Sequence, residues 1–264
     1  MTIPAEAPML LDAHTHLDHY DGTTLDVALD QIAAQRILTV AVAVDPPTYA
    51  RTLEIAARSP LILPCFGIHP WQAHRYAHDL AAIESLIDAC PLLGEIGLDY
   101  VWDEDPAHYP AQRAVFAHFL QAAAAQDKIV NLHTKGAEHD VVTLLDRYGV
   151  RRAIVHWYSG PCDAFDALIA QGCYFTFGVE TLHSASIQAL AQHAPLERLL
   201  TETDGPEGLR WLTGEVGMPR HINGVLQTLA DLRGLSVADA TSLVRANWQR
   251  LIAGDRRLEA WAIW

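Results

Sequence analysis

Eight short runs of aliphatic and β-branched residues recur along the chain, separated by longer amphipathic stretches, and this alternation limits the fold more than any other feature. The runs are Met9–Ala13, Ile37–Ala43, Leu61–Gly67, Leu92–Ile96, Ile129–Leu132, Ala153–Val155, Cys173–Phe177 and Leu199–Thr201, with helical patterns such as Tyr109–Gln126 and Asp163–Gln171 between them. Regular strand-helix alternation specifies parallel strands joined by crossover helices. Eight such units close a barrel, which usually takes about 250 residues; the chain has 264. The expected fold class is therefore α/β, a single (β/α)8 TIM barrel, with residues 1–264 as one domain. Two further helical stretches, Ile222–Arg233 and Val237–Ala253, extend the tail, and Ser236 is the expected N-cap of the second, with Asp239 three residues on. An open doubly wound sheet would need a glycine-rich phosphate loop after the first strand, where this chain has Ala13-His14-Thr15-His16.

Composition narrows the class further. Half of the residues are apolar and 19% are charged, enough to bury a sizeable core and too apolar for a disordered chain. Met1 to Pro8 carry no basic stretch followed by an apolar core, and the longest apolar run, Ile37 to Val44 with Thr39 inside, has about eight residues. Neither a signal peptide nor a membrane span is expected. Cys65, Cys90, Cys162 and Cys173 lie far apart without a C-x-x-C pairing, so they read as small buried residues in a reducing compartment, which places the protein in the cytoplasm. The formal charge of -14 argues against a general nucleic-acid binder. A nuclease stays open, because two divalent ions would reverse the local field and surface charges beyond about 8–10 Å are screened.

The first run leads into Asp12-Ala13-His14-Thr15-His16-Leu17-Asp18. Residues two apart on a strand share a face, so Asp12, His14 and His16 are expected to point together, and in a closed barrel that face can point inward. Two imidazoles on a rigid strand end can chelate one cation. The other strand ends repeat the theme: His69 after the third, Glu95 and Asp99 around the fourth, His133 and His156 after the fifth and sixth, and Glu202 with Asp204 after the eighth. Taken singly, each reads as a hydrogen-bonded loop residue. Together they occupy the face on which barrel enzymes build active sites.

The strings D-A-H-T-H-L-D, G-I-H-P-W, G-E-I-G-L-D-Y, H-T-K, H-W-Y-S-G and E-T-D-G-P, running from residue 12 to residue 206, resemble the ordered signature blocks of the TatD-like DNases, within the amidohydrolase-like barrel superfamily. The resemblance implies one metal held by His14, His16, Glu95 and Asp204, and a second held by Glu95, His133 and His156, with Glu95 bridging. It also implies that His69 lies beside the substrate or behind a ligand, and that Glu202 tunes Asp204 or a ligand. Related binuclear barrels bridge their metals with a carbamylated lysine, but Lys128 and Lys135 are the only lysines and neither occupies a ligand position. A carboxylate bridge remains. The implied cofactors are two divalent metal ions, and imidazole with carboxylate suits Zn²⁺, Mg²⁺ or Mn²⁺ alike. Asp204 is the natural proton acceptor, with Glu95 and Glu202 as the other catalytic carboxylates. The implied activity is hydrolysis of DNA phosphodiesters by a two-metal-activated water, on single strands or duplex ends, while the same site would suit amide, lactone or ester hydrolysis of a small molecule.

The chain departs from that family in two places. Lys135 stands where the family carries arginine, so a phosphate contact there would be a point charge without the bidentate fork. The loop Gly205 to Trp211 and the segment Gly217-Met218-Pro219 also differ. Arg75, Arg113, Arg210 and Arg220 are candidate phosphate contacts as well as ordinary surface arginines. Trp71, Trp102, Trp157 and Trp211 can either stack on a base or bury against loops. His19, His74, His108, His139 and His221 match no block and read as surface or loop residues.

Overall fold

Each expected run becomes a strand in the computed structural model, which describes residues 9–262. The strands are β1 (Leu10–Thr15), β2 (Ile37–Val42), β3 (Ile62–Phe66), β4 (Leu92–Asp99), β5 (Val130–Lys135), β6 (Ala153–Val155), β7 (Tyr174–Phe177) and β8 (Leu199–Thr201). They form one parallel sheet in chain order, β1 to β8. The seam between β8 and β1 is held by Thr201 Oγ1 donating to Leu11 O at 2.5 Å, Asp204 N to His14 O at 3.0 Å and His16 N to Gly205 O at 2.8 Å. The ring is a (β/α)8 barrel. The reading made for residues 1–8 lies outside the described residues, and among those described no helix is long and apolar enough to cross a membrane.

Local chemistry explains where the elements begin and end. All six side chains of β2 are buried, as befits a parallel strand covered on both faces. The helix Pro46–Ala56 starts on a capping box, Asp45 Oδ1 accepting from Thr48 N at 3.0 Å, with proline at its first position. The helices Tyr109–Gln126 and Ile222–Arg233 occupy their expected bounds, and Ser236 Oγ accepts from Asp239 N at 3.1 Å to open Val237–Ile252. Cys65, Cys90 and Cys173 are buried as expected, but Cys162 is exposed, because it begins the helix Cys162–Ala170 instead of facing the core.

Three strands run past their expected ends toward the site: β1 to Thr15, taking in His14, β5 to Lys135, taking in His133, and β4. β4 runs on to Asp99 instead of stopping at Ile96, which puts Asp99 on the same strand as Glu95. Gly97 permits this: its φ is +150°, and a Cβ there would lie 1.9 Å from His133 O on β5. The lower end of the barrel is plugged by Met9, Leu11 and Leu38 with Trp248, Leu251 and Leu258 from the C-terminal segment. The upper end is left to polar side chains.

Candidate metal centre

Glu95 stands at the centre of the upper end, and both carboxylate oxygens face imidazoles. Its Oε2 lies 3.4 Å from His16 Nε2 and 3.6 Å from His14 Nε2. Its Oε1 lies 2.8 Å from His133 Nδ1, 2.9 Å from His156 Nε2 and 3.4 Å from His69 Nε2. Asp204 Oδ1 joins the first group, 3.5 Å from His16 Nε2 and 3.7 Å from His14 Nε2. All seven residues are buried. The residues expected as ligands thus meet in one cluster, with His69 beside it.

A hydrogen bond on the outer nitrogen turns three of the imidazoles, and a carboxylate stands behind the fourth. His14 Nδ1 donates to Asn131 Oδ1 at 2.9 Å, and Asn131 Nδ2 is anchored on Ala13 O at 2.9 Å. His16 Nδ1 donates to Val42 O at 3.1 Å, and His133 Nε2 to Asp99 Oδ2 at 2.9 Å. His156 Nδ1 faces Glu202 Oε2 at 3.6 Å. An acceptor behind the ring keeps the proton on that side and leaves the inner nitrogen free for a cation. Among the described residues, neither the buried His14 Nε2 nor His156 Nδ1 has a hydrogen-bond partner. Two donor atoms about 2.1 Å from a shared tetrahedral ion lie roughly 3.4 Å apart, so the spacing between His14, His16, Glu95 and Asp204 fits a divalent cation better than it fits hydrogen bonds.

Electrostatics agree with the geometry. Burial opposes charge on His16, yet the Glu95 and Asp204 carboxylates push it up to about 9. Burial likewise opposes charge on His156, and Glu95 with Glu202 pushes it up to about 10. Burial would raise Glu95, but His69, His156 and His14 hold it well below the carboxylate range. His69 behaves differently: burial pushes it down to about 4. Its Nδ1 accepts from Trp71 N at 3.2 Å, so the ring proton sits on Nε2 and points into the cluster. Burial raises Asp204, which makes that carboxylate a stronger base.

Two residues beside the cluster sit in the left-handed region without being glycine: Asp204 at φ 47° and Trp157 at φ 40°. Such residues cost on the order of 1–3 kcal/mol and persist where the surroundings over-determine them. Asp204 is held by its N on His14 O at 3.0 Å and by its own carbonyl, which accepts from Gly208 N at 2.7 Å. Trp157 donates its N to Glu202 Oε1 at 3.0 Å and its Nε1 to Glu180, while its carbonyl accepts from Lys135 Nζ at 2.8 Å. Glu202 therefore orients His156 and Trp157 together, with its Oε2 also accepting from Thr176 Oγ1 at 2.6 Å. Lys135 makes a second bond, to Ser159 Oγ at 2.8 Å, at the edge of the cluster.

The expectation that Asp12 shares a face with His14 and His16 fails. The β1–β2 register shifts between Asp12 and Thr15, and Asp12 turns to the barrel seam, accepting from Thr203 N at 2.9 Å and Thr203 Oγ1 at 2.5 Å. His19 is exposed, as expected, and its ring stacks on His16 with centroids 4.8 Å apart. Asn131 lies outside the quoted motifs, and Asp99, noted at the end of the fourth run, was given no role there; both carried a positional signal. Each lies an even number of residues from a candidate ligand on the same strand, Asp99 from Glu95 and Asn131 from His133, so each faces the same way. Of the candidate arginines, Arg113 pairs with Asp140 and Arg210 with Glu207, while Arg75 and Arg220 are exposed. His74 stacks on His108 with centroids 4.3 Å apart.

A parallel barrel that gathers buried imidazoles and carboxylates at the carboxyl ends of its strands defines a metal-dependent hydrolase. The model of TatD related DNases matches residues 11–253, and the chain belongs to that family. It is similar to the metal-dependent hydrolase YabD of Bacillus subtilis, 29% identical over 258 residues, covering 92% of this chain and 98% of YabD. It is also similar to the deoxyribonuclease TATDN3 of Homo sapiens, 26% identical over 270 residues, covering 94% and 96%. Among solved structures, the TatD homolog YjjV of Escherichia coli superposes with a TM-score of 0.83 at 22% identity, over 92% of this chain and 97% of that one. The phosphotriesterase homology protein of E. coli superposes with a TM-score of 0.68 at 15% identity, over 91% and 97%. These two likenesses concern the fold.

Proposed function

We propose that this chain hydrolyses phosphodiester bonds of DNA, in single strands or at strand ends, with two divalent cations. His14, His16, Glu95 and Asp204 would hold the first, and Glu95, His133 and His156 the second. One observation carries the reading: the two oxygens of Glu95 are divided between two sets of imidazoles, Oε2 toward His14 and His16 and Oε1 toward His133 and His156. When bound, the ions supply Lewis acidity to a phosphoryl oxygen and lower the pKa of water, and Zn²⁺, Mg²⁺ and Mn²⁺ all suit these donors.

The chain's own residues supply the rest. Asp204, with basicity raised by burial, accepts the proton that attacking water loses. Glu202 keeps His156 aimed at Glu95. His69 presents an N–H toward the same space and can donate to a substrate oxygen. Lys135 uses two donors on Trp157 O and Ser159 Oγ, which leaves one N–H for a phosphate at the mouth.

The deoxyribonuclease name of the human relative supports DNA over a neutral ester or lactone. Metal-reconstituted protein tested on labelled single-stranded DNA beside a panel of esters and lactones decides between them. Lys135→Ala sharpens the result: it should lower kcat/KM on DNA about 30- to 1000-fold with metal content unchanged. Full activity of that variant on DNA would remove Lys135 from the substrate, and cleavage confined to esters or lactones would replace the phosphodiesterase reading.

A further inference from the structure

The carboxylate of Asp99 has more donors than orienting one histidine requires. Oδ2 accepts from His133 Nε2 at 2.9 Å and also from Trp71 Nε1 at 2.8 Å. Oδ1 accepts from the backbone N–H groups of Val101 at 2.9 Å and Trp102 at 2.7 Å. Burial would raise Asp99, but His133 and the backbone N–H groups of Trp102 and Val101 hold it at about 2. One buried side chain thus fixes a candidate ligand, the indole of Trp71 and the turn that carries Trp102.

Both indoles are open to solvent, Trp71 at 39% and Trp102 at 67%. Trp71 stands edge-on to His69 with ring centroids 4.6 Å apart, and His69 Nε2 is 3.4 Å from Glu95, so a single ring separates the indole from the cluster. Its N–H is directed inward to Asp99, and the rest of the ring remains a rigid apolar surface at the mouth.

Charge selects what such a surface can take. The segment Trp102-Asp103-Glu104-Asp105 carries three carboxylates and no lysine or arginine. A phosphate is repelled there, whereas an uncharged planar group is not. We propose that Trp71 and Trp102 form a stacking shelf for one unpaired nucleobase of the nucleotide whose phosphodiester lies at the Glu95 cluster. Asp99 is the positioning residue that keeps the shelf and His133 in register. The inference rests on the phosphodiesterase reading above and specifies its substrate: a base inside a duplex has both faces covered, so the shelf favours single strands and frayed ends.

The test compares two single-stranded oligonucleotides, one ending in an ordinary nucleotide and one ending in a nucleotide that lacks its base. Metal-loaded wild type should prefer the first by about 10- to 100-fold in kcat/KM, mostly through KM. Trp102→Ala should level the two probes, and Trp102→Tyr should restore the preference. In a parallel titration, a deoxynucleoside monophosphate should quench tryptophan fluorescence of the metal-loaded protein, and deoxyribose 5-phosphate should not. Equal loss on both probes in Trp102→Ala, or no preference in wild type, overturns the shelf. Selective quenching without cleavage of either probe keeps the shelf and removes the DNA hydrolysis reading. Absence of both quenching and cleavage removes the two together.

Discussion

The two ends of the barrel both bury charge, and they treat it in opposite ways. At the amino-terminal end, Asp255 accepts from Arg257 Nε and Nη2 at 2.8 Å and from Arg152 Nη1 at 3.2 Å. The remaining donors of these arginines reach carbonyls of Leu251, Gln126 and Asp127 at 2.7–3.3 Å. That cluster is saturated by the chain itself. At the carboxyl-terminal end, His14 and His16 face Glu95 and Asp204 across 3.4–3.7 Å, and His14 Nε2 has no hydrogen-bond partner among the described residues. A saturated ion cluster serves the fold, and one left open inside the protein is arranged for something the chain does not contain.

The strongest way to break this contrast is Glu95→Ala. Because Glu95 touches both sets of imidazoles, the variant should lose about 1000-fold or more in kcat and bind one metal or none. Metal analysis beside an activity assay checks it, and two ions retained at full activity would take Glu95 out of the centre. Asp255→Ala should do the reverse at the other end. Removing the shared acceptor of two arginines should cost about 2 kcal/mol of stability, while the folded fraction keeps its activity and metal content. Denaturant melts and metal analysis read the two effects separately; lost metal with unchanged stability would erase the division of roles.

The smallest effect sharpens the comparison through pH. His16 and His156 have folded values of about 9 and about 10, above the ordinary 6.5. A raised value means that their protonation stabilises the metal-free fold fully below about pH 6.5 and progressively less as pH rises through 9 to 10. A cation displaces those protons. Thermal melts from pH 6 to pH 10 should therefore show declining stability in chelator and a flatter profile with metal. Parallel profiles would mean that these histidines do not meet the ion.

Much of this was legible in the sequence, for physical reasons that can be named. The eight strands announced themselves because parallel strands are covered on both faces and read as continuous aliphatic runs. The candidate ligands were visible because they sit at or near strand ends in recurring short blocks. Asp12 misled because period-2 reasoning assumes an unbroken pleat, and β1 shifts register just after it. The end of β4 was misplaced because Gly97 looks like a strand breaker until the close approach of His133 O is known. Asp99 was visible at its strand end but had no role assigned, because that role depends on four donors from three parts of the chain converging on it, and motifs record residues without their convergence.

The seam between β1 and β8 has a consequence for how the enzyme comes into being. His14 and His16 leave the ribosome about 190 positions before Asp204 and the Thr203 that grips Asp12. Contacts so distant in sequence form late and only when the ring shuts. The cation site proposed on His14, His16, Glu95 and Asp204 would therefore form only after Asp204 has been made: until then a nascent chain carries the H-x-H pair without the pocket around it, and loading with metal would mark a barrel that has closed.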